Sequence, residues 1–565
     1  MARKPASDKP NSKNNSKTKS FEQTLWATAD KLRGSVESSE YKHVVLSLIF
    51  LKFISDKFAE RKQQLEAEGK GAYVDMVAFY TMTNTFYLPE DARWDFIAKN
   101  AKQDDIAVKI DTALHTVEKN NKALRGALPD NYFSRLGLDA SKLAALIDAI
   151  NNIDTLFTPL PQGEGRGEGG EGRASETDGA HSATKRGTSE EDIVGRVYEY
   201  FLGNFAATEG KGGGEFYTPK CVVNLLAEMI EPYHGKIYDP CCGSGGMFVQ
   251  SVKFVENHQG NKKDISIYGQ EQTSTTYKLA KMNLAIRGIS ANLGDVPADT
   301  FFKDQHPDLK ADFIIANPPF NLKEWRGPDE LTNDPRWAGY ETPPTGNANY
   351  GWILHMISKL SDNGVAGFVL ANGSMSTSTK GEGEIRKQII DNDLVDCMIA
   401  LPGQLFYTTQ IPVCLWFLTK NKKAQTFSDG RQQHRNREGE TLFIDARNMG
   451  SMVDRTHKEL TADDIAAIAD TYHAWRGEPV LSDDGEEGYQ DVAGFCKSAS
   501  LADIQSNDYV LTPGRYVGAA EIEDDGELFE EKMRELTQTL FQQMAEAQEL
   551  DAVIKQNLKG LGYGE

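Results

Sequence analysis

"IYDPCCGSGGMF", residues 237–248, leaves a short apolar run through an aspartate and enters a turn built on Gly243, Gly245 and Gly246. Glycines make such a turn tight and leave its backbone open to close approach by a ligand. The spacing differs from the dinucleotide fingerprint, because Phe248 stands where the third glycine would fall, so a hydride-transfer enzyme is disfavoured. A glycine turn alone specifies no chemistry. Its meaning depends on the segments around it.

Outward from this turn, residues 192–480 alternate strand and helix patterns, the signature of an α/β domain with a largely parallel sheet. "GKIYDP" and "DISIYGQE" read as strands, followed by "ADFIIANPPF", "VAGFVL", "LVDCMIALP", "IPVCLWFLTK" and "TLFIDAR". In "NYGWILHMISKL" the residues Trp352, Ile353, Met356, Ile357 and Leu360 share one helix face, which predicts a helix packed on the sheet. Residues 21–157 read as helical, with "SSEYKHVVLSLIFLKFISDKFAERKQQLEAE" the longest element. Residues 1–20 read as a flexible basic tail. Residues 158–191 are rich in Gly, Glu, Ser and Arg and read as a disordered linker or insertion. Residues 481–525 connect to a last helix at 526–565, where residues from Phe529 to Leu561 recur at alternating steps of four and three. Gln543 and Asn557 are the polar members of that seam, which suits either a coiled coil or packing against the chain's own domain.

Composition sets limits. The 565 residues suffice for several domains, and the formal net charge of -21 is the wrong sign for a surface that grips phosphate throughout. Any DNA contact is therefore a local patch or rests with another subunit. "HVVLSLIFLKFI" is too short to span a bilayer, and the N-terminus lacks the apolar core of a signal peptide, so a cytoplasmic protein with no membrane contact is expected. Six cysteines make no disulfide framework and include no C-x-x-C pair, and no metal site is expected.

Three further segments carry candidate chemistry. Glu271 sits at the tip of the second strand, where an acidic side chain can hold both hydroxyls of a ribose. Asp295, in the next strand-to-helix region, is within plausible reach of an adenine amino group, though a turn aspartate reads almost as well. "GGGEFYTPK" (212–220) precedes a helix started by Thr218-Pro219 and can fold over the mouth of the sheet as a lid on a cofactor. Finally, Asn317, Pro318, Pro319 and Phe320 end a buried strand with an amide, two rigid residues and a ring. Alone this is a strand-ending turn.

Taken in order, these segments resemble the S-adenosylmethionine-dependent amino-methyltransferases of the gamma N6-adenine DNA group. With "LWATADKLRG", "GEFYTP", "DPCCGSGG", "YGQE", "NPPF" and "LPGQLFYTTQIPVCLWFLTK", the chain resembles the methylation subunit of type I restriction-modification systems over nearly its whole length. The resemblance implies a Rossmann-like methyltransferase sheet with an N-terminal helical domain and a C-terminal helical tail. It implies an adenine-specific DNA methyltransferase in which Asn317, Pro318, Pro319 and Phe320 are catalytic. It assigns Glu215, Phe216, Tyr217, Thr218, Pro219, Lys220, Ser244, Gly245 and Gly246 to S-adenosylmethionine, with Asp239 and Gly243 shaping the loop and Glu271 on the ribose. Double-stranded DNA, one specificity subunit for two methylation subunits, and a restriction subunit are the implied partners. Rival readings are an inactive assembly scaffold and a methyltransferase acting on a glutamine amide or an RNA amine.

Overall fold

The structure is a computed structural model that describes residues 26, 38–151, 200–201, 218–379, 381–406, 411–426, 433–478, 481–482, 485–486, 488–519 and 529–560. The basic tail at 1–20, the linker at 158–191 and residues Glu215, Phe216 and Tyr217 lie outside the described residues.

Among the described residues, a nine-stranded sheet organises the region. Its strands are β1 (Gly235–Asp239), β2 (Ile265–Gly269), β3 (Ala291–Asn292), β4 (Ala311–Ala316), β5 (Leu360–Ala371), β6 (Val395–Ala400), β7 (Val413–Thr419), β8 (Glu440–Asp445) and β9 (Cys496–Ser500). Their order across the sheet is β9-β8-β6-β7-β5-β4-β1-β2-β3. β7 runs antiparallel to β5 and β6, and β9 antiparallel to β8, while the remaining neighbours are parallel. The sheet is thus mixed, with the parallel character the sequence predicts on the side that carries β1 to β5. The short β3 and the edge strand β9 escape the sequence reading: β3 is two residues long, and "CKSAS" has neither alternation nor an apolar run.

Helices cover both faces. α1 (Ser38–Ala67), α2 (Trp94–Asn100), α3 (Ile106–Asn120) and α4 (Ala140–Asn151) form the N-terminal helical region. α5 (Lys220–Ile230), α6 (Gly246–Asn257), α7 (Ser274–Ile286), α8 (Asn349–Lys359), α9 (Glu382–Asp391) and α10 (Ala462–Arg476) accompany the sheet. The period-2 alternation of strands sorts their side chains between two layers. On β7, Cys414, Trp416 and Leu418 join the core under α8 and α9, whereas Val413, Leu415 and Phe417 join the core under α5 and α10. Both sets are fully buried, which is why this strand reads as an unbroken apolar run. Each such Leu or Phe contributes about 1.5–3 kcal/mol by leaving water.

α8 departs from the one-faced helix that its sequence predicts. It is buried on nearly every side, down to His355 and Asn349, because the segment 322–345 folds back over its outer face. Trp325 and Phe301 close on Trp352 and Gly351 there. The helical region shares its core with the sheet domain, since Leu279, Met282 and Ile286 of α7 are buried among the side chains of α1, α3 and α4. Inside that region, buried Asp111 accepts backbone N–H bonds from Tyr132, Phe133 and Ser134 at 2.9–3.0 Å, satisfying the first turn of a short helix.

The C-terminal unit, residues 518–565, contains one continuous helix, α11 (Phe529–Gly560). Met533, Leu540, Leu550 and Ile554 of the predicted seam are exposed, and so are Phe541, Met544 and Val553, which widen the apolar stripe beyond a two-position seam. Among the described residues no helix is long and apolar enough to cross a membrane.

Candidate active site

The chain runs β1-β2-β3 to one side of β1 and returns with β4 on the other side. That reversal leaves a crevice at the carboxyl ends of β1 and β4, the place where open α/β sheets bind ligands. β1 ends in the glycine turn and β4 ends in Asn317. The register Ile237↔Phe313 and Tyr238↔Ile314 brings the two ends side by side.

The glycine turn is fixed on several sides. Gly243 and Gly245 adopt φ of +53° and +78°, a region costly for any side chain with a Cβ, and Gly245 caps α6. Gly243 N–H donates to Glu271 Oε2 at 3.1 Å, and Thr273 N–H donates to Glu271 Oε1 at 2.7 Å. Asn283 Nδ2 donates to the Ser244 carbonyl at 2.7 Å. Phe248, which replaces the third glycine of the dinucleotide pattern, is fully buried against Gly269. A Cβ on Gly269 would meet the Phe248 ring and Leu293 at 2.9 Å, so the close approach of helix and sheet is made by a glycine on β2 instead.

Asp239 is buried beneath this turn and accepts from Cys241 N–H at 2.9 Å. Burial pushes its carboxyl up to about 7 against the pull of that N–H, and the nearby Glu271 carboxylate adds to the rise. Burial also drives the Cys241 and Cys242 thiols well above their ordinary range, helped by the charge of Asp239, so neither is a ready nucleophile.

Asn317 Nδ2 donates to Thr218 Oγ1 at 2.9 Å. Its Oδ1 is shielded from solvent and has no hydrogen-bond partner among the described residues. Leaving an amide oxygen buried and unmatched costs about 1–3 kcal/mol. Pro318 is buried, and Phe320 is half-buried with its ring 5.9 Å from that of Phe406, at 71°. The two rings meet edge to face.

One cavity is lined by seven of the predicted residues, Thr218, Lys220, Asp239, Gly243, Ser244, Gly246 and Asn317, whereas Pro219, Gly245, Pro318, Pro319 and Phe320 are not among its lining residues. Glu271 does not line it but accepts from the N–H of Gly243, which does. Asp295 is not brought in: it is exposed on the loop after β3, where its N–H donates to Gln305. The helix predicted to start at Thr218-Pro219 begins at Lys220, with Pro219 as its cap. Gln250 and Asn283 also line the cavity, and Phe406 meets Phe320; sequence reasoning missed all three. Asn283 and Gln250 lie on helices whose pattern gives no local signal, whereas Phe406 sits in the quoted "LPGQLFYTTQ" segment and was open to an aromatic reading.

Residues 189–525 match the N-6 DNA Methylase family, and residues 21–152 match the HsdM N-terminal domain. The chain belongs to the N-6 DNA methylases. The Type I restriction enzyme HindI methylase subunit of Haemophilus influenzae is 49% identical over 84% of this chain and 100% of its own length. The MjaIX methylase subunit of Methanocaldococcus jannaschii is 37% identical over 97% and 92%. Within the N-6 methylases this chain is therefore a member of the methylase subunits of type I restriction enzymes. The methyltransferase subunit of a type I restriction-modification system from Streptococcus thermophilus shares the fold, with a TM-score of 0.65 at 22% identity over 88% of this chain and 99% of its own.

Proposed function

We propose that this chain transfers the methyl group of S-adenosylmethionine to the N6 amine of an adenine rotated out of duplex DNA. In this reading Asn317, Pro318, Pro319 and Phe320 hold the amine and the base. The single observation that carries it is the buried Oδ1 of Asn317 at the switch point of the sheet, unmatched among the described residues.

The residues around the crevice fit the cofactor. The glycine turn leaves backbone open for close approach, Glu271 offers carboxylate lone pairs for a ribose, and Asp239 and Lys220 line the same cavity. When bound there, S-adenosylmethionine supplies an electrophilic methyl group. All other work belongs to side chains and backbone. An adenine amine is a weak nucleophile because its lone pair is delocalised into the ring. Asn317 Oδ1 and the Pro318 carbonyl accept its two N–H bonds and draw charge onto nitrogen as it becomes tetrahedral. Proline after Asn317 restricts that residue to an extended backbone, which aims the acceptors. Phe320, braced edge-on by Phe406, offers a face on which the base stacks. Removing the base from the stack costs a few kcal/mol, which stacking and the two hydrogen bonds offset.

Site choice rests with a separate specificity subunit, two methylation subunits serving one, and a restriction subunit joins for cleavage in the cytoplasm. The acidic net charge of -21 supports a division in which another chain carries much of the DNA contact. The test uses the assembled complex with methyl-labelled cofactor and target DNA, followed by nucleoside analysis. Label in N6-methyladenine for wild type and its loss in Asn317→Ala are expected. Label in cytosine or protein, or cofactor binding without transfer, would overturn the reading.

A further inference from the structure

Resting on that reading, we propose that Thr218 is a positioning residue for Asn317: its hydroxyl receives the Nδ2 hydrogen and so leaves Oδ1 turned toward the target amine. A carboxamide has two chemically opposite ends of nearly equal shape. Rotated by half a turn, Asn317 would present N–H groups to the N–H groups of adenine and could accept nothing. Some neighbour must decide between the two orientations. Among the described residues, the group bonded to the Asn317 side chain is Thr218 Oγ1, at 2.9 Å and 99 positions away in the chain.

Both ends of this bond are held by rigid elements. Thr218 and Asn317 each precede a proline, and the ring of the following residue restricts each to an extended backbone. The Pro219 carbonyl accepts from Val222 N–H at 3.0 Å and Val223 N–H at 3.1 Å, which fixes Thr218 to the first turn of α5. α5 in turn lies tight on the sheet: a Cβ added at Gly367 of β5 would stand 3.2 Å from both Leu226 and Ile230. Asn317 continues β4, the strand paired with β5. The Thr218–Asn317 bond therefore spans two packed elements, the arrangement that holds a reacting group in one orientation before substrate arrives. It also joins the segment flanking the cofactor cavity to the residue that meets the base, since Thr218 lines that cavity.

The alternative roles make different forecasts. If Thr218 served the cofactor alone, its loss would weaken cofactor binding and spare the rate at saturation. If its hydroxyl instead donated to Oδ1, removing it would free that oxygen and leave the rate unchanged or higher. The experiment compares Thr218→Val and Thr218→Ser in the assembled complex, with single-turnover methylation at saturating cofactor and separate cofactor titrations. Thr218→Val is expected to lower the single-turnover rate about 10- to 100-fold while cofactor Kd stays within about threefold. Thr218→Ser, which keeps the hydroxyl, should restore the rate to within about threefold of wild type. In an Asn317→Ala background Thr218→Val should cause no further loss, because the group it orients is gone.

A Thr218→Val rate equal to wild type, a defect confined to Kd, a serine variant no better than valine, or additive losses in the double variant would each overturn the assignment. Thermal melting accompanies the rates, and Thr218→Ala replaces Thr218→Val if the latter fails to assemble. A wild-type complex that does not methylate adenine would refute the underlying reading, whereas an active wild type with an active Thr218→Val refutes only the role of Thr218.

Discussion

Substituting Asn317 by alanine should separate activity from stability. Among the described residues Asn317 makes one side-chain bond, to Thr218, and buries one unmatched oxygen. Losing a hydrogen bond of this kind costs about 0.5–1.5 kcal/mol, whereas relieving a buried unmatched acceptor returns about 1–3 kcal/mol. The two terms leave the variant between about 0.5 kcal/mol less stable and about 2.5 kcal/mol more stable than wild type, small against a total of about 5–15 kcal/mol. In the transition state the same oxygen accepts from an amine gaining charge, and removing one such preorganised partner lowers the rate about 100- to 1000-fold. Melting temperature and single-turnover methylation on one preparation of the complex test both halves. A variant that melts well below wild type would show that Asn317 is a structural residue. A variant that keeps its rate would refute its role in catalysis.

Other expectations follow from particular contacts. Asp239, raised to about 7 from 3.8, binds its proton in the folded protein over a window where the unfolded chain has lost it. Its contribution to stability therefore falls as pH rises from 3.8 through 7, so wild type should lose more melting temperature between pH 6 and pH 8 than Asp239→Asn does. Glu271→Ala removes the acceptor of the Gly243 and Thr273 N–H bonds and should weaken cofactor affinity in a titration, with an intact glycine turn and unchanged affinity counting against its role. Asp111→Ala leaves three N–H groups of a buried helix start unmatched and should cost about 2–4 kcal/mol in denaturant unfolding. Deleting residues 526–565 removes the exposed stripe of Met533, Leu540, Leu550 and Ile554 and should lower the yield of complex with a specificity subunit in co-purification.

Much of the fold was legible because strands buried on both faces, such as Val413–Thr419, announce themselves as apolar runs, and glycines mark the turn after β1. The strand that carries Asn317 was legible for the same reason, and its end was set by Pro318-Pro319. What escaped reading was set by distant chain. α8 has an amphipathic pattern, yet a folded-back loop covers its outer face. β9 is a strand only because β8 offers it an edge, with Leu442 opposite Ser498. The orientation of the Asn317 amide depends on a hydroxyl 99 positions earlier, and no local pattern encodes it. Glu271 and Asp295 both read as acids after a strand, the first for a ribose and the second for an adenine amino group or a plain turn. The difference lies in tertiary bonding: the Glu271 carboxylate is taken up by the glycine turn, and the Asp295 backbone is drawn to Gln305.

The most direct test of the central claim is the structure of the assembled complex on its target DNA with a non-reactive cofactor analogue. The target adenine should stand outside the helix with N6 at about 3 Å from both Asn317 Oδ1 and the Pro318 carbonyl, and its ring parallel to that of Phe320. A base that remains stacked in the duplex, or an extruded base whose N6 meets neither acceptor, would contradict the account.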